Sequence, residues 1–550
     1  MSGARIQIRV TRRDMICDIK PQILTPGRKM LPLVFFFLGW VAPATLSPWD
    51  SLTANIAVVE YRPLHNSSAL NNNTVALNTK KYVEILKSAS PKKLDLIVFP
   101  EAGLRDTPET AVEVRVSDNP CKSASQPDVL TNLSCAAAAS KTYIVVNLVE
   151  KSKCDIANAG DNCAKFGFRF YNTDVVFDRS GTIVNRYRKY NLFGERDLDK
   201  PDEPEEVVIE TDFGVRFGIF TCFDVLFKRP AQDLLRKNVD GVIFPTMWHS
   251  ELPFLTALQT QQMWAHAHDT YFFGAGTNVP IVGSGGTGVY RGSRSRIFGS
   301  FLAEDTFQTF IFESVGGKVP PPPPEDVDLL AEQMSNFTIF TDTSLPRFAS
   351  FVVDTAVKNI QKRLCHGEDD EDEFCCDFNL RLSLSDSRSD LPFYSYLLVV
   401  FSGVRSFRGM YNGGIQTCGV VACLNSSLSS CGHRFARYEE VQWPVTFEEI
   451  TIQTRYEEGE NKTFFPNSLL SSIRPIDASD TDWTGERVGE KSVKRTFSVK
   501  KPQNRLFTFA IYGRNFDKDS PAGSGKGSSR ILTWLLLSCV VFLSGFSILQ

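Results

Sequence analysis

The chain has 550 residues, 42% of them hydrophobic and 22% charged, with a formal net charge of -3. That length passes the roughly 250–300 residues at which single cores stop growing, so two folded domains are expected. A balance so near neutrality gives no electrostatic case for a nucleic-acid partner, and the composition is that of an ordinary folded protein.

Arg28 and Lys29 precede the apolar run Met30 to Val41, and Ala42-Pro43-Ala44 then supplies small residues. This is the order of a secretory signal peptide, too short to span a bilayer comfortably. The polar stretch before Met30 leaves Met1 and Met30 both open as the start of translation.

From Thr53 to about Thr306 short β-branched runs alternate with helical stretches. Ile56 to Val59, Leu96 to Phe99, Tyr143 to Leu148, Val175 to Phe177, Phe217 to Phe220 and Gly241 to Phe244 read as buried strands. Helices are expected over Lys80 to Ser88, Pro230 to Lys237 and Pro253 to His268. Asp178-Arg179-Ser180-Gly181 and Asp212-Phe213-Gly214 read as hairpin turns. An α/β domain follows.

Three strand ends in this region each deliver one reactive side chain, at the edge where α/β sheets place their sites. Leu96 to Phe99 runs through Pro100 into Glu101, a carboxylate partly removed from water and so suited to general-base work. Arg186 to Arg188 runs into Lys189, a cation able to stabilise an oxyanion, with Glu195 six residues on to orient it or the substrate. Phe217 to Thr221 ends at Cys222, followed by Phe223 and Asp224. A strand, a cysteine and a tight turn into a helix raise a thiol above the sheet, with backbone N–H groups nearby for an oxyanion. Alone, a capping carboxylate, a solvated basic hairpin and a structural cysteine would account for each segment. Their occurrence together and in this order favours the chemical reading.

The set Phe-Pro-Glu101, Arg-Lys189 and Thr-Cys222-Phe-Asp resembles the Glu-Lys-Cys triad of the nitrilase superfamily. The longer segments Gly218 to Asp224, Tyr187 to Phe193 and Gly286-Thr287-Gly288 resemble its vanin and biotinidase branch in particular. The resemblance spans roughly Thr53 to Ile511. It implies an α-β-β-α sandwich with a β-rich carboxyl-terminal domain, with Glu101 as general base, Lys189 beside the tetrahedral intermediate, Cys222 as nucleophile, and the Phe223 N–H completing an oxyanion hole. It further implies an amide substrate, pantetheine or a biotin amide such as biocytin, with no cofactor or metal required. Trp248, His249 and the 283–288 loop are expected to line or shape the substrate cleft, although core packing accounts equally well for Trp248. His266 and His268, two apart on a helix, face different ways and make no metal pair.

Pro320 to Pro324 have no backbone donors and stay extended, which marks a linker. Beyond it Ser335 to Thr341, Phe351 to Val353, Phe393 to Phe401 and Leu506 to Ile511 suggest a region of strands. The acidic run Glu368 to Glu373 lacks the spacing of a calcium loop and reads as a solvated loop. At the end of the chain, Ala522, Gly523 and Ser524, a polar spacer and the apolar Ile531 to Leu549 fit a glycosylphosphatidylinositol signal better than a retained helix. The expected organisation is an extension and signal peptide over 1–46, a catalytic domain over 50–318, a linker over 319–326, a β-rich domain over 327–516, and a spacer and anchor signal over 517–550.

Setting aside Cys17, Cys539 and Cys222, the remaining ten of the thirteen cysteines suit five disulfides in an oxidising compartment. Cys154 is expected to pair with Cys163, and Cys365, Cys375, Cys376, Cys418, Cys423 and Cys431 to form a knot of unspecified connectivity. Sequons at Asn66, Asn72, Asn132, Asn336, Asn425 and Asn461 imply a glycosylated surface. The predicted site is therefore extracellular, lipid-anchored at the plasma membrane. A catalytically silent glycoprotein is the main rival reading; a cytosolic amidase is opposed by the signal peptide, sequons and cysteines.

Overall fold

Two six-stranded sheets stack face to face in the amino-terminal region of the computed structural model. It describes residues 53–64, 71–89, 92–123, 125–154, 161–292, 297–301, 307–315, 337–367, 373–385, 391–435, 441–457, 459 and 461–520. The signal, linker, acidic-run and anchor expectations over 1–46, 319–326, 368–372 and 521–550 lie outside these residues.

The first sheet has the order β13 (Phe307–Val315), β1 (Thr53–Tyr61), β2 (Leu96–Val98), β3 (Tyr143–Lys153), β4 (Phe168–Phe177) and β5 (Ile183–Arg188). The second has the order β12 (Ile297–Phe301), β11 (Thr287–Arg291), β10 (Tyr271–Gly276), β8 (Gly241–Thr246), β7 (Arg216–Ile219) and β6 (Val208–Glu210). The central pairs β1–β2, β2–β3, β7–β8 and β8–β10 are parallel, and both expected hairpins, β4–β5 and β6–β7, are present.

Alternation along the strands explains the layering. In β1, Ile56 and Val58 face the second sheet with Phe217 and Ile219, while Ala57 and Val59 face Tyr82, Ile85 and Leu133 of α1 (Asn71–Ala89) and α2 (Asp128–Ser140). The short α3 (Asp161–Phe166) precedes β4, and α4 (Ala257–His268) covers the far side of the second sheet through Trp264. This is the expected α-β-β-α sandwich. The expected helix over Pro230–Lys237 is instead a wide turn, Lys228–Gln232, with extended backbone at Arg229, followed by a tight one, Asp233–Lys237.

The carboxyl-terminal region is a second sandwich. One sheet has the order β15 (Ala349–Val352), β18 (Ser395–Phe407), β19 (Tyr411–Cys423), β24 (Leu506–Asn515) and β21 (Lys462–Leu470). The other has the order β16 (Asn359–His366), β17 (Phe374–Leu384), β20 (Val445–Glu457), β23 (Ser492–Val499) and β22 (Thr481–Val488). Of the expected strand over Ser335 to Thr341, the described residues are 337–341, and among them β14 (Phe340–Thr341) pairs with β9 (Glu251–Leu252).

The sheet containing β18 is apolar on both faces. Tyr396, Leu398 and Val400 enter the carboxyl-terminal core, whereas Leu397, Val399 and Phe401 join the core of the amino-terminal region. Buried polar bonds cross the same junction: Gln259 Nε2 donates to Asn467 Oδ1 at 2.6 Å and Thr508 Oγ1 to the Pro253 carbonyl at 2.8 Å. The second sandwich therefore forms one continuous core with the first, and its β18–β19 hairpin reaches the site described below.

Five disulfides, Cys121–Cys135, Cys154–Cys163, Cys365–Cys375, Cys376–Cys418 and Cys423–Cys431, use all ten cysteines expected to pair. Cys222 is the free cysteine among the described residues.

Candidate active site

Strand ends bring Glu101, Lys189 and Cys222 to one cleft. Glu101 follows β2, Lys189 follows β5 and Cys222 follows β7, all at carboxyl ends, and each is almost completely buried. Lys189 Nζ donates to Glu101 Oε1 at 2.8 Å and to Glu195 Oε1 at 2.5 Å. The second Glu101 oxygen accepts the Met247 N–H at 2.7 Å, from the end of β8.

Burial alone would strip the Lys189 ammonium of its proton, but Glu101 and Glu195 hold its pKa well above the usual lysine value. Glu195 is also desolvated, yet Lys189 keeps its carboxyl below the usual range. Burial, reinforced by the Glu101 charge, pushes the Cys222 thiol up, against the pull of Lys189. The resting nucleophile is thus a neutral thiol beside a carboxylate and an ammonium.

Cys222 has φ of +49°, the left-handed region that a side chain rarely occupies, and it opens a single helical turn, Cys222–Leu226. The first N–H groups of such a turn have no partner within it, so those at Cys222 and Phe223 are available to an oxyanion. Asp224 fastens this turn to the loop after β5. Its carboxylate accepts the Tyr187 hydroxyl at 2.6 Å, the Asn191 N–H and side-chain amide at 2.8 Å each, and the Thr221 N–H at 3.1 Å. Burial raises its pKa to about 6.

Beneath the three lies a polar layer whose residues the strand-end reading passes over. Asn172 Nδ2 donates to Glu101 Oε1 at 2.8 Å and to Glu195 Oε1 at 3.3 Å. Asn147 Nδ2 donates to Asn172 Oδ1 at 2.7 Å and to Asp174 Oδ1 at 2.8 Å, and Thr221 donates its hydroxyl to Asp174 Oδ2 at 2.5 Å. Burial pushes Asp174 up to about 7. The available signal was polar side chains at alternating positions, Asn172 and Asp174, leading into the apolar Val175-Val176-Phe177.

Two connected cavities meet at Cys222. One, with about 620 Å³ of empty space including its open mouth, is lined by the polar Glu101, Asn147, Asn172, Lys189 and Glu195 and by the apolar Leu148, Val149 and Leu198. The other, with about 380 Å³ of empty space including its open mouth, is lined by Phe223, Leu226, Trp248, Leu255 and Phe407, with the charged Glu251 and Arg408. Phe193, Met247 and His249 border both. Trp248 is 7% exposed, donates its indole N–H to the Leu255 carbonyl at 2.8 Å, and forms part of the wall of the second cavity. The 283–288 loop is not in either wall; it backs His249 through the Ser250 N–H to Gly283 carbonyl bond at 2.8 Å.

Phe407 and Arg408 come from the tip of the β18–β19 hairpin. Its rings Phe407 and Tyr411 pack on Phe223 at 5.5 and 5.8 Å between centroids.

The carbon-nitrogen hydrolase family model matches residues 55–291, and the vanin C-terminal domain model matches residues 337–519. Vanin-like protein 2 of Drosophila melanogaster is 34% identical over 513 residues, covering 89% of this chain and 94% of that protein. The chain belongs to the vanin branch of the carbon-nitrogen hydrolases. Pantetheinase of Sus scrofa is 31% identical over 80% of this chain and 82% of its own length, and pantetheinase of Homo sapiens 28% identical over 83% and 87%. Among solved structures, Saccharomyces cerevisiae Nit3 of the nitrilase superfamily is 17% identical with a TM-score of 0.37, covering 48% of this chain and 90% of its own.

In this vanin-family hydrolase the histidines expected not to bind metal are packing residues. His266 is buried with its ring 6.3 Å from that of Phe497, and His268 lies 4.6 Å from the Trp264 ring. Burial lowers both to about 4, which keeps them neutral. Among the sequons, Asn132, Asn425 and Asn461 are exposed, Asn72 lies in the first turn of α1, and Asn66 and Asn336 fall outside the described residues.

Proposed function

We propose that this chain hydrolyses pantetheine to pantothenate and cysteamine through a thioester on Cys222. The observation that carries the reading is the convergence of a buried carboxylate, a buried ammonium and a free thiol on one cleft, in a chain 28–31% identical to pantetheinases.

An amide is a weak electrophile with a poor leaving group, so the attack needs a nucleophile, an oxyanion site and a proton for the amine. Glu101 takes the thiol proton as Cys222 Sγ bonds to the carbonyl carbon. The carbonyl oxygen gains the electron pair and is stabilised by Lys189 and the Phe223 N–H. Collapse of this intermediate breaks the C–N bond, Glu101 gives its proton to the departing amine, and the acyl group stays on sulfur. Glu101 then removes a proton from water, which attacks the thioester and releases the acid and the thiol. Glu195 and Asn172 orient Lys189 and Glu101. The pathway uses this chain's own side chains.

Biotin amides are the alternative substrate, and a catalytically silent glycoprotein the alternative from outside enzymology. Five disulfides support an oxidising compartment, and with the sequons and terminal segments they support a glycosylated, secreted protein held by a glycosylphosphatidylinositol anchor. No helix among the described residues is long and apolar enough to cross a membrane. The test compares cysteamine release from pantetheine with biotin release from biocytin, using Cys222→Ala as control. Pantetheine cleavage lost in the control supports the reading; cleavage of biocytin alone moves the substrate, and cleavage of neither by folded protein favours the silent glycoprotein.

A further inference from the structure

His249 lines both cavities, as the nucleophile Cys222 does. Its Nδ1 lies 2.8 Å from the Val282 carbonyl. A carbonyl oxygen only accepts, so the proton of this hydrogen bond belongs to Nδ1. The remaining nitrogen, Nε2, makes no hydrogen bond to any described residue. Two bulky features fix the ring: Phe193 lies 6.2 Å away between centroids, and the chain on either side is held by Met247 N–H to Glu101 and Ser250 N–H to Gly283.

The charges around the ring keep it in this tautomer. Burial, with Arg408 and Lys189 nearby, lowers the pKa of His249, and only the Val282 carbonyl and Glu101 oppose them. The ring therefore carries one proton, on the nitrogen turned to Val282. Nε2 is a lone pair facing the cleft.

We infer that His249 Nε2 is a specificity determinant, accepting a hydrogen bond from an N–H or O–H on the substrate, close to but separate from the scissile amide. This deepens the amide-hydrolase reading of the cleft and rests on it. Phe223, Leu226 and Leu255 are apolar, the Trp248 N–H is taken by the Leu255 carbonyl, and the Arg408 and Glu251 that also line this cavity make no hydrogen bond to Nε2, so a substrate lacking the donor would leave Nε2 unpaired. The reaction then favours amides that carry a second polar N–H or a hydroxyl a short spacer away over plain aliphatic amides.

The test uses reagents that alkylate Cys222, so it does not depend on which amide is turned over. Chloroacetamides are made with a second amide, or a hydroxyl, one to three methylenes beyond the first nitrogen, alongside partners capped by N-methyl or O-methyl groups. Sulfur displaces chloride and the adduct is located by peptide mass. With the full chain, the uncapped reagent at the best spacer is expected to react about 5- to 50-fold faster than its capped partner, within the range for leaving one buried acceptor unpaired. The amide and hydroxyl series show which donor is used. His249→Phe is expected to bring the ratio of uncapped to capped rates to about one, whatever its effect on either rate alone, and His249→Gln, which keeps an acceptor near the Nε2 position, to restore most of the ratio. An equal preference in wild type and His249→Phe, or none in wild type at any spacer, would overturn the inference. Failure to cleave pantetheine would instead count against the substrate proposed above.

Discussion

Lys189 Nζ sits between two carboxylates, 2.8 Å from Glu101 and 2.5 Å from Glu195, with its own side chain 1% exposed. Two acids and one base share a space that water barely enters, so removing the ammonium is unlike removing either acid. Lys189→Met leaves the buried Glu101 carboxylate unpaired and facing the partly exposed Glu195, and a loss of about 3 kcal/mol in unfolding free energy is expected along with activity. Glu101→Gln keeps the shape and an amide oxygen, and is expected to abolish turnover at least ~1000-fold while costing less stability. Paired denaturation and rate measurements on the two variants check the distinction.

Asn172 reaches both acids through one amide group. Asn172→Leu preserves size but removes a donor from Glu101 and a partner from Asn147. A fall in kcat of about 10- to 100-fold is expected, since each hydrogen bond to a charged group is worth roughly 1.5–3 kcal/mol. The KM should change much less, because Asn172 braces the acids from beneath.

The loop that carries Glu195 is held by the carboxyl-terminal region. Gly194 has φ of +85°, and a Cβ there would stand 2.9 Å from Met410 Sδ. Gly194→Ala is therefore expected to displace the loop and reduce kcat/KM by about 10-fold. Adding Met410→Ala should recover the part due to the contact, while the backbone strain, roughly 1 kcal/mol or more, persists. Steady-state kinetics of the single and double variants separates the two.

These cases show where the sequence was informative. Glu101, Lys189 and Cys222 stand out because each ends an apolar run, a pattern visible one residue at a time. Asn172 lies inside a strand, and nothing in its neighbours says that its amide meets Glu101, 71 positions away. The tip at Phe407 to Tyr411 drew no expectation at all; its contact with Phe223 depends on how the two sandwiches dock, which local periodicity does not encode. Both faces of β18 are apolar for the same reason, which the run Phe393 to Phe401 announced only as part of a region of strands.

Acid should weaken the fold partly through His266. Its folded pKa, about 4, lies below the 6.5 of the free side chain, so the unfolded chain binds a proton the native state refuses. The contribution is fully present above pH 6.5 and is lost as pH falls toward 4, amounting to about 2 kcal/mol at pH 5. Chemical denaturation at pH 7 and pH 5 should show a smaller difference for His266→Gln than for wild type by that amount. Asp174, raised to about 7, acts in the opposite sense over the same window, so the comparison is made within each variant.

The central claim is that the acyl group passes through Cys222 sulfur. The most direct measurement is rapid-quench intact-mass and peptide analysis of the protein mixed with pantetheine. A pantothenoyl adduct on the Cys222 peptide, cleaved by hydroxylamine and formed and lost at rates matching turnover, is the expected result. Turnover with no adduct on that peptide, or turnover surviving in Cys222→Ala, would contradict it.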